Sequence, residues 1–338
     1  MSENIKNSTK KTTLGQFFTK NHFWLKKHIL DFIENSNKTI AFDPFAGKGD
    51  LLLAAKQIGF KKVLGFDIDK TLNYKINDSL IKIQKIKDSI IITNPPYLAK
   101  YSASRKGVYD SVLQYFENSK YDDLYQIAIE KCLENNEYGV MIVPETFINS
   151  SFPKNRLKSI TIIEDLMFDD TETPICVICF DNIVKDYGNI EIYKNDIYIG
   201  NLKEIEDMKK IPSKNLGLKF NSLNGQIALR AVDTTNINRP IQFMNPNEMD
   251  YDLTTIKVSS RLITLIEINL TEKESVQEII DKSNFILSKF RIKTSDVLLS
   301  PFKGNKKNGE RRRRLDYTTA RAILEEAYQE SGFGSKLF

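Results

Sequence analysis

The residues Asn94-Pro95-Pro96-Tyr97 form the most specific chemical pattern in the sequence. They follow the apolar run 89–93, which predicts a buried strand, and two consecutive prolines cannot continue a hydrogen-bonded ladder. The prolines fix a rigid turn, so the backbone carbonyl groups and the Asn94 side chain can point into a cleft beside the Tyr97 ring. Acceptors beside an aromatic face suit a planar heterocycle with an exocyclic amino group.

A second pattern, from Asp43 to Gly49, joins a predicted strand at 39–43 to a predicted helix at 50–59. An acid and a proline end the strand, and two glycines precede the helix, which lets the backbone approach a ligand closely. The pattern is neither a P-loop nor G-x-G-x-x-G, and a plain strand-to-helix turn explains it equally well.

Asp67 ends the next predicted strand, about 20 residues beyond the glycine-rich turn. An acid at this place can accept hydrogen bonds from both hydroxyl groups of a ribose. Asp69 competes for that role, and a solvated acid at the end of a strand is the simpler alternative.

Predicted strands and helices alternate over the first 185 residues, which indicates a doubly wound, largely parallel α/β sheet. Two late strands, 158–166 and 175–181, are close enough in sequence to form an antiparallel hairpin at one edge. The alternation stops near residue 185, and a mixed segment ends in predicted helices at 272–290 and 318–329.

Composition excludes several classes of protein. The 338 residues are 41% hydrophobic and 28% charged, which fits two globular domains, and no apolar run reaches the roughly 18 residues of a membrane span. Three cysteines cannot form a disulfide framework, so we expect a reducing, cytoplasmic location. Cys176 and Cys179 form a C-x-x-C pair, but no second pair of zinc ligands accompanies it. We therefore interpret the two cysteines as residues of an apolar strand. Two histidines argue against a His-based metal site or triad.

The net charge of +5 is concentrated in one segment. Residues 285–321 hold 11 basic and 3 acidic side chains, which is typical either of a contact to a phosphate backbone or of a solvated loop. For a DNA substrate, the expected phosphate contacts are Lys306, Lys307, Arg311, Arg312, Arg313 and Arg314.

The motifs together resemble the S-adenosylmethionine-dependent DNA methyltransferases that act on the exocyclic amine of adenine. That family has a D/N/S-P-P-Y/F/W motif, a glycine-containing acidic motif after the first strand, an acid after the second strand and an upstream cofactor segment. This sequence matches them at Asn94 to Tyr97, Asp43 to Gly49, Asp67 and Leu14 to Thr19. The resemblance covers about 14–181, and its motif order is that of the gamma group.

The resemblance implies a Rossmann-like, seven-stranded methyltransferase sheet over 1–185 and a C-terminal α+β target-recognition domain over 186–338. It implies Asn94, Pro95, Pro96 and Tyr97 as catalytic residues, and Tyr97 and Phe168 as the aromatic residues that stack on a flipped base. The implied S-adenosylmethionine-binding residues are Gln16, Phe17, Thr19, Asp43, Pro44, Phe45, Ala46, Gly47, Asp67, Ile68, Asp78 and Asn94.

The same resemblance implies double-stranded DNA as substrate, no membrane partner, and a bacterial, nucleoid-associated monomer or weak dimer. A cognate restriction endonuclease acting on the same site is a further implied partner. RNA adenine methyltransferases are a rival, but they usually carry one apolar residue before Pro-Tyr and an E-x-G-x-G first motif. Protein glutamine methyltransferases share Asn-Pro-Pro-Tyr but place their extra domain before the glycine-rich motif, and a non-catalytic DNA-binding module is the third alternative.

Overall fold

The computed structural model describes five stretches of the chain, 23–165, 172–214, 216–249, 262–270 and 275–332. The chain divides into two compact units, Met1–Leu202 and Lys203–Phe338. This division lies 17 residues (202 − 185) after the expected boundary, because two strands that follow residue 185 extend the first sheet. No helix of the described stretches is long and apolar enough to cross a membrane.

The first unit is built on a nine-stranded sheet with helices between its strands. Its strands are β1 (Ile40–Asp43), β2 (Lys62–Asp67), β3 (Lys75–Ile76), β4 (Ser89–Thr93), β5 (Gly139–Pro144), β6 (Leu157–Ile163), β7 (Ile175–Phe180), β8 (Glu191–Lys194) and β9 (Ile197–Asn201). Its helices are α1 (Lys27–Asn35), α2 (Asp50–Gln57), α3 (Lys100–Arg105), α4 (Tyr109–Glu117) and α5 (Leu124–Asn135), and α6 (Leu202–Asp207) spans the division between the units.

The strand order is β3-β2-β1-β4-β5-β7-β6-β8-β9. Strands β3, β2, β1, β4 and β5 are parallel, and the predicted antiparallel pairing of the two late strands is confirmed, since β7 pairs antiparallel with both β5 and β6. The Rossmann-like α/β sheet is therefore confirmed. The short strands β8 and β9 extend it beyond the seven expected strands. The expected place of the two late strands at an edge is wrong, because β6 also pairs with β8 and β9 is the edge strand.

The centre of this sheet is apolar on both faces. Every residue of β4, β5 and β7 is buried, which explains why these strands read as continuous apolar runs rather than alternating ones. Cys176 and Cys179 are buried, free cysteines of β7, as the apolar-strand interpretation predicted. The sheet is thus a rigid support whose loops are free to carry chemistry.

The second unit contains an antiparallel sheet in the order β10-β13-β11-β12 and a separate hairpin. Its strands are β10 (Leu218–Phe220), β11 (Ile227–Arg230), β12 (Gln242–Met244), β13 (Ile263–Ile268), β14 (Ser300–Asn305) and β15 (Arg311–Arg314). Helices α7 (Val276–Lys293) and α8 (Tyr317–Glu330) begin at Ser275 and Asp316, whose side chains cap them. The two helices share one apolar core with the four-stranded sheet.

Candidate active site

A cavity of about 220 Å³ lies in the first unit, beside the carboxyl ends of β1, β2 and β4. Loops converge at this edge of an open parallel sheet, which is where such sheets bind ligands. Nine of the twelve residues expected to bind the cofactor belong to the described stretches, and all nine line the cavity. They are Asp43, Pro44, Phe45, Ala46, Gly47, Asp67, Ile68, Asp78 and Asn94.

Four residues of the expected site lie outside the described residues. They are Gln16, Phe17 and Thr19 of the upstream segment, and Phe168, which was expected beside the target base.

Asp43 is the last residue of β1, and its carboxyl group is almost completely buried. Oδ1 of Asp43 accepts hydrogen bonds from the Thr93 hydroxyl at 2.5 Å and from the Phe45 amide at 3.0 Å. Burial raises the pKa of Asp43 from its ordinary value to about 7, the nearby charge of Asp67 adds to the rise, and the two hydrogen bonds oppose it. A carboxyl group that titrates near neutrality therefore lines the cavity.

The turn after Asp43 needs glycine at two positions. Gly47 and Gly49 have φ values of 53° and 88°, in the left-handed region that other residues avoid. A side chain on Gly49 would also overlap the hydroxyl group of Tyr74. The turn then leads directly into α2, so its backbone stays close to the cavity.

Asp67 is joined to this turn by a direct hydrogen bond. The amide of Gly47 donates to Oδ2 of Asp67 at 2.8 Å, and the amide of Asp69 donates to Oδ1 at 2.8 Å. Asp69 binds Thr71 instead and does not line the cavity. The structure thus places Asp67, rather than Asp69, where a ribose could be held.

Asp78 lies on the loop before β4 and is half-buried. Its Oδ1 accepts the amide of Leu80 at 3.2 Å, and its Oδ2 accepts the hydroxyl of Tyr115 at 2.8 Å. Burial is the largest cause that raises the pKa of Tyr115 to about 12, and the hydrogen bond to Asp78 is the second. This phenol therefore stays protonated and donates the hydrogen bond to Asp78. Tyr115 therefore holds the Asp78 carboxylate in place from helix α4.

The Asn94-Pro95-Pro96-Tyr97 turn places two of its four residues on the cavity. Asn94 and Pro96 line it, Pro95 is buried, and Tyr97 packs against the core of the sheet. The Tyr97 hydroxyl donates to Oδ1 of Asn94 and lies 2.9 Å from the carbonyl oxygen of Ile142. Burial raises the pKa of Tyr97 well above its ordinary value, so this phenol too remains a donor.

Sequence reasoning missed the helical wall of the cavity. Ser111, Val112 and Tyr115 reach it from α4, and Leu124 reaches it from the start of α5. These residues had no motif to mark them, since their only signal is the ordinary apolar spacing of a helix. Leu72 and Leu80 add further apolar surface.

The basic segment of the second unit corrects one expectation. Arg311 and Arg313 are 2% and 1% exposed, so they are not available for contacts with phosphate. The four arginines form strand β15, in which alternate side chains point to opposite faces. Arg312 and Arg314 are partly exposed, Lys307 is exposed, and the Lys306 ammonium is paired with Asp233 and Glu310.

Residues 9–168 match the family described as Eco57I restriction-modification methylase. The matched segment is a little under half of the chain, and it includes the glycine-rich turn, Asp67, Asp78 and the Asn94 turn. The cofactor that this match indicates is S-adenosylmethionine. No curated protein sequence is significantly similar to the chain.

Several solved structures resemble about half of the chain, at low sequence identity. A protein described as a class I S-adenosylmethionine-dependent methyltransferase from Listeria monocytogenes is 15% identical with a TM-score of 0.37, over 50% of this chain and 62% of its own. A methyltransferase subunit of a type I restriction-modification system from Streptococcus thermophilus is 15% identical with a TM-score of 0.37, over 53% of this chain and 47% of its own. The type IIG restriction endonuclease BpuSI is 14% identical with a TM-score of 0.37, over 57% of this chain and 29% of its own. The match thus spans less than two thirds of each of these proteins.

The residues of the cavity fit that cofactor. The side chains of Asp43, Asp67 and Asp78 line it, which suits a ligand that carries a sulfonium cation. Val112 and Leu124 supply apolar wall for a planar ring, and the turn through Gly47 leaves its backbone accessible.

Proposed function

We propose that the chain is a DNA adenine-N6 methyltransferase and the modification enzyme of a type II restriction-modification system. The observation that carries the proposal is the place of Asn94. Its side chain lines the same cavity as Asp43, Asp67 and Asp78, so an amide acceptor lies at the edge of the cofactor site. Bound S-adenosylmethionine supplies an activated methyl group, and the protein's task is then mainly alignment.

The Asn94 turn supplies what an exocyclic amine needs to react. The lone pair of the adenine amine is delocalised into the ring, so its nitrogen would have to become more tetrahedral before it could attack the methyl carbon. The C–S bond would break as the N–C bond forms, the neutral thioether would leave, and the amine would lose one proton to water. The Asn94 oxygen and the Pro95 carbonyl group would each accept one N–H of the amine and favour that form. Both contacts strengthen as positive charge develops on nitrogen, and they therefore stabilise the transition state more than the ground state.

The target adenine must leave the duplex before the amine can reach Asn94. Stacking on aromatic side chains offsets part of the unstacking cost, by about 1–3 kcal/mol per base. Tyr97 and Phe168 are proposed for this role. Tyr97 is half-buried with its hydroxyl toward Asn94, so one residue would stack on the base and orient the amide.

The second unit is proposed to recognise the DNA target. Its β14–β15 hairpin concentrates basic side chains, of which Lys303 and Lys307 are exposed and Arg312 and Arg314 partly so. Cations on one face are the usual means of binding a phosphate backbone. A restriction endonuclease that cuts the same unmodified site is the proposed partner.

The test is to identify the substrate and the product together. Three incubations each contain the full chain and radiolabelled S-adenosylmethionine. The first also contains unmethylated duplex DNA, the second RNA and the third protein. We expect label in 6-methyladenine from DNA. Label found only in RNA, or only in protein, would overturn the proposal.

A further inference from the structure

The loop between β11 and β12 is an exposed polar segment that adjoins the basic hairpin β14–β15. Residues 235–239 are all exposed, and they read Thr-Asn-Ile-Asn-Arg. Because the segment starts at Thr234, we call it the 234–239 loop. It presents two amide side chains, one guanidinium group and one apolar side chain, Ile237, which is 53% exposed.

The 234–239 loop is held in one shape by its own hydrogen bonds. The amide of Thr234 donates to the carbonyl of Arg239 at 3.1 Å, and the amide of Arg239 donates to the carbonyl of Asn236 at 3.0 Å. Oδ1 of Asn236 accepts the amide of Asn238 at 3.0 Å, and the Thr234 hydroxyl accepts the amide of Asn236 at 3.2 Å. A loop that is ordered in advance loses little conformational entropy when it binds.

The loop is also anchored at its base by a buried ion pair. Asp233 is fully buried, and its two carboxylate oxygens each lie 2.9 Å from a guanidinium nitrogen of Arg291 on α7. Oδ1 of Asp233 also accepts the amide of Ile241, on the far side of the loop, at 2.9 Å. Both ends of the 234–239 loop are therefore attached to the same carboxylate.

The tip of the β14–β15 hairpin lies against this loop. The amide of Lys307 donates to the carbonyl of Thr235 at 2.9 Å, and Nε of Arg312 donates to the carbonyl of Asp233 at 2.8 Å. Arg312 also packs over the ring of Phe302. The exposed Lys307 and the partly exposed Arg312 thus lie beside the exposed loop, and the exposed acid Glu310 is paired with Lys306.

Protein–DNA contacts are of two kinds, contacts to phosphates and contacts to base edges. Cations bind phosphates and fix the position of the protein, whereas asparagine and arginine read base edges, with asparagine paired to adenine and arginine to guanine in the major groove. We propose that the 234–239 loop reads base pairs of the DNA target, with Asn238 and Arg239 as specificity residues and the exposed hairpin lysine Lys307 as a phosphate contact. This inference rests on the proposed function.

The experiment maps methylation by the full chain on a library of random duplex DNA. We expect Asn238→Ala and Arg239→Lys each to relax the recognition sequence at one base pair, by roughly 5- to 150-fold. Arg239→Lys keeps the charge but loses the planar fork, so DNA affinity should change little. Lys307→Ala should leave the recognised sequence unchanged, weaken DNA binding and lower the salt dependence by about one unit of slope.

Two results separate failure of this inference from failure of the proposed function. If wild-type protein methylates DNA and both loop variants keep its sequence profile, the 234–239 loop does not read bases. If wild-type protein methylates no DNA, the proposed function is wrong and the inference is overturned with it. Cofactor affinity and thermal unfolding of each variant are measured in parallel. If Asn238→Ala does not fold, the test is decided by Arg239→Lys, which leaves the charge in place.

Discussion

The hydroxyl of Tyr97 donates a hydrogen bond to the side-chain oxygen of Asn94. An amide oxygen has two lone pairs, so one of them stays available on the side of the cavity. The bond fixes which end of the amide is the acceptor, and this matters because the NH₂ end would repel the adenine amine. Tyr97 thus links the core of the sheet to the proposed catalytic group.

Replacing Tyr97 by phenylalanine keeps the ring and removes this bond. We expect the rate of methyl transfer to fall roughly 5- to 10-fold, the cost of about 1 kcal/mol for one hydrogen bond. Cofactor affinity should stay unchanged because Tyr97 does not line the cavity. Single-turnover kinetics measures the rate. The matched control is Tyr138→Phe, because Tyr138 is also partly buried against this core and does not line the cavity. Equal losses in the two variants would mean that the hydroxyl does not orient Asn94.

The hydrogen bond from the Gly47 amide to Asp67 predicts a difference between two neighbouring acids. Asp67→Asn should weaken binding of S-adenosylmethionine about 10- to 100-fold, because a charged acceptor is lost from the cavity. Asp69→Asn should have little effect, since Asp69 binds Thr71 and does not line the cavity. Calorimetry with the cofactor alone compares the two variants, and a larger loss for Asp69→Asn would contradict the assignment.

The raised pKa of Asp43, about 7, predicts how cofactor affinity depends on pH. A group whose folded-state pKa lies above its unfolded value destabilises the fold progressively as pH rises from about 4 to about 7, because the buried carboxyl must ionise. A cationic ligand favours the ionised form, so affinity should increase between pH 6 and pH 8. Asp43→Asn should abolish this part of the increase in affinity and remove the loss of stability between about pH 4 and about pH 7. Titration calorimetry and thermal unfolding at several pH values measure the two effects, and identical profiles for wild type and variant would refute the prediction.

Tyr115 was found only in the structure, and its bond to Asp78 predicts a role in binding the cofactor. Tyr115→Phe should weaken S-adenosylmethionine binding about 5-fold, the effect of one lost hydrogen bond. The single-turnover rate at saturating cofactor should not change. Tyr109→Phe on the same helix, which does not line the cavity, is the control.

Much of the candidate site could be predicted because its residues follow strands. Asp43, Asp67 and Asn94 come directly after apolar runs, and the carboxyl ends of parallel strands meet at one edge of a sheet. Their types and order are visible in the sequence without any knowledge of packing. The hairpin of β6 and β7 was predictable for a similar reason, since two apolar runs are separated by a short polar segment.

The remaining features depend on tertiary contacts that leave no local pattern. Tyr115 faces the cavity only because α4 packs beside the loop that carries Asp78. Arg311 and Arg313 are buried because they belong to a strand, but four identical residues show no alternation from which a strand could be inferred. The strands β8 and β9 are short and partly exposed, so they lack the apolar run that marked the others.

The proposed role of Asn94 is tested most directly by measuring methyl transfer by Asn94→Ala. The variant and the wild type are each loaded with labelled S-adenosylmethionine, mixed with unmethylated duplex DNA, and followed through one turnover. We expect that the variant binds the cofactor and unfolds at the wild-type temperature but forms no 6-methyladenine. Formation of 6-methyladenine at the wild-type rate would show that the Asn94 side chain does not assist the transfer.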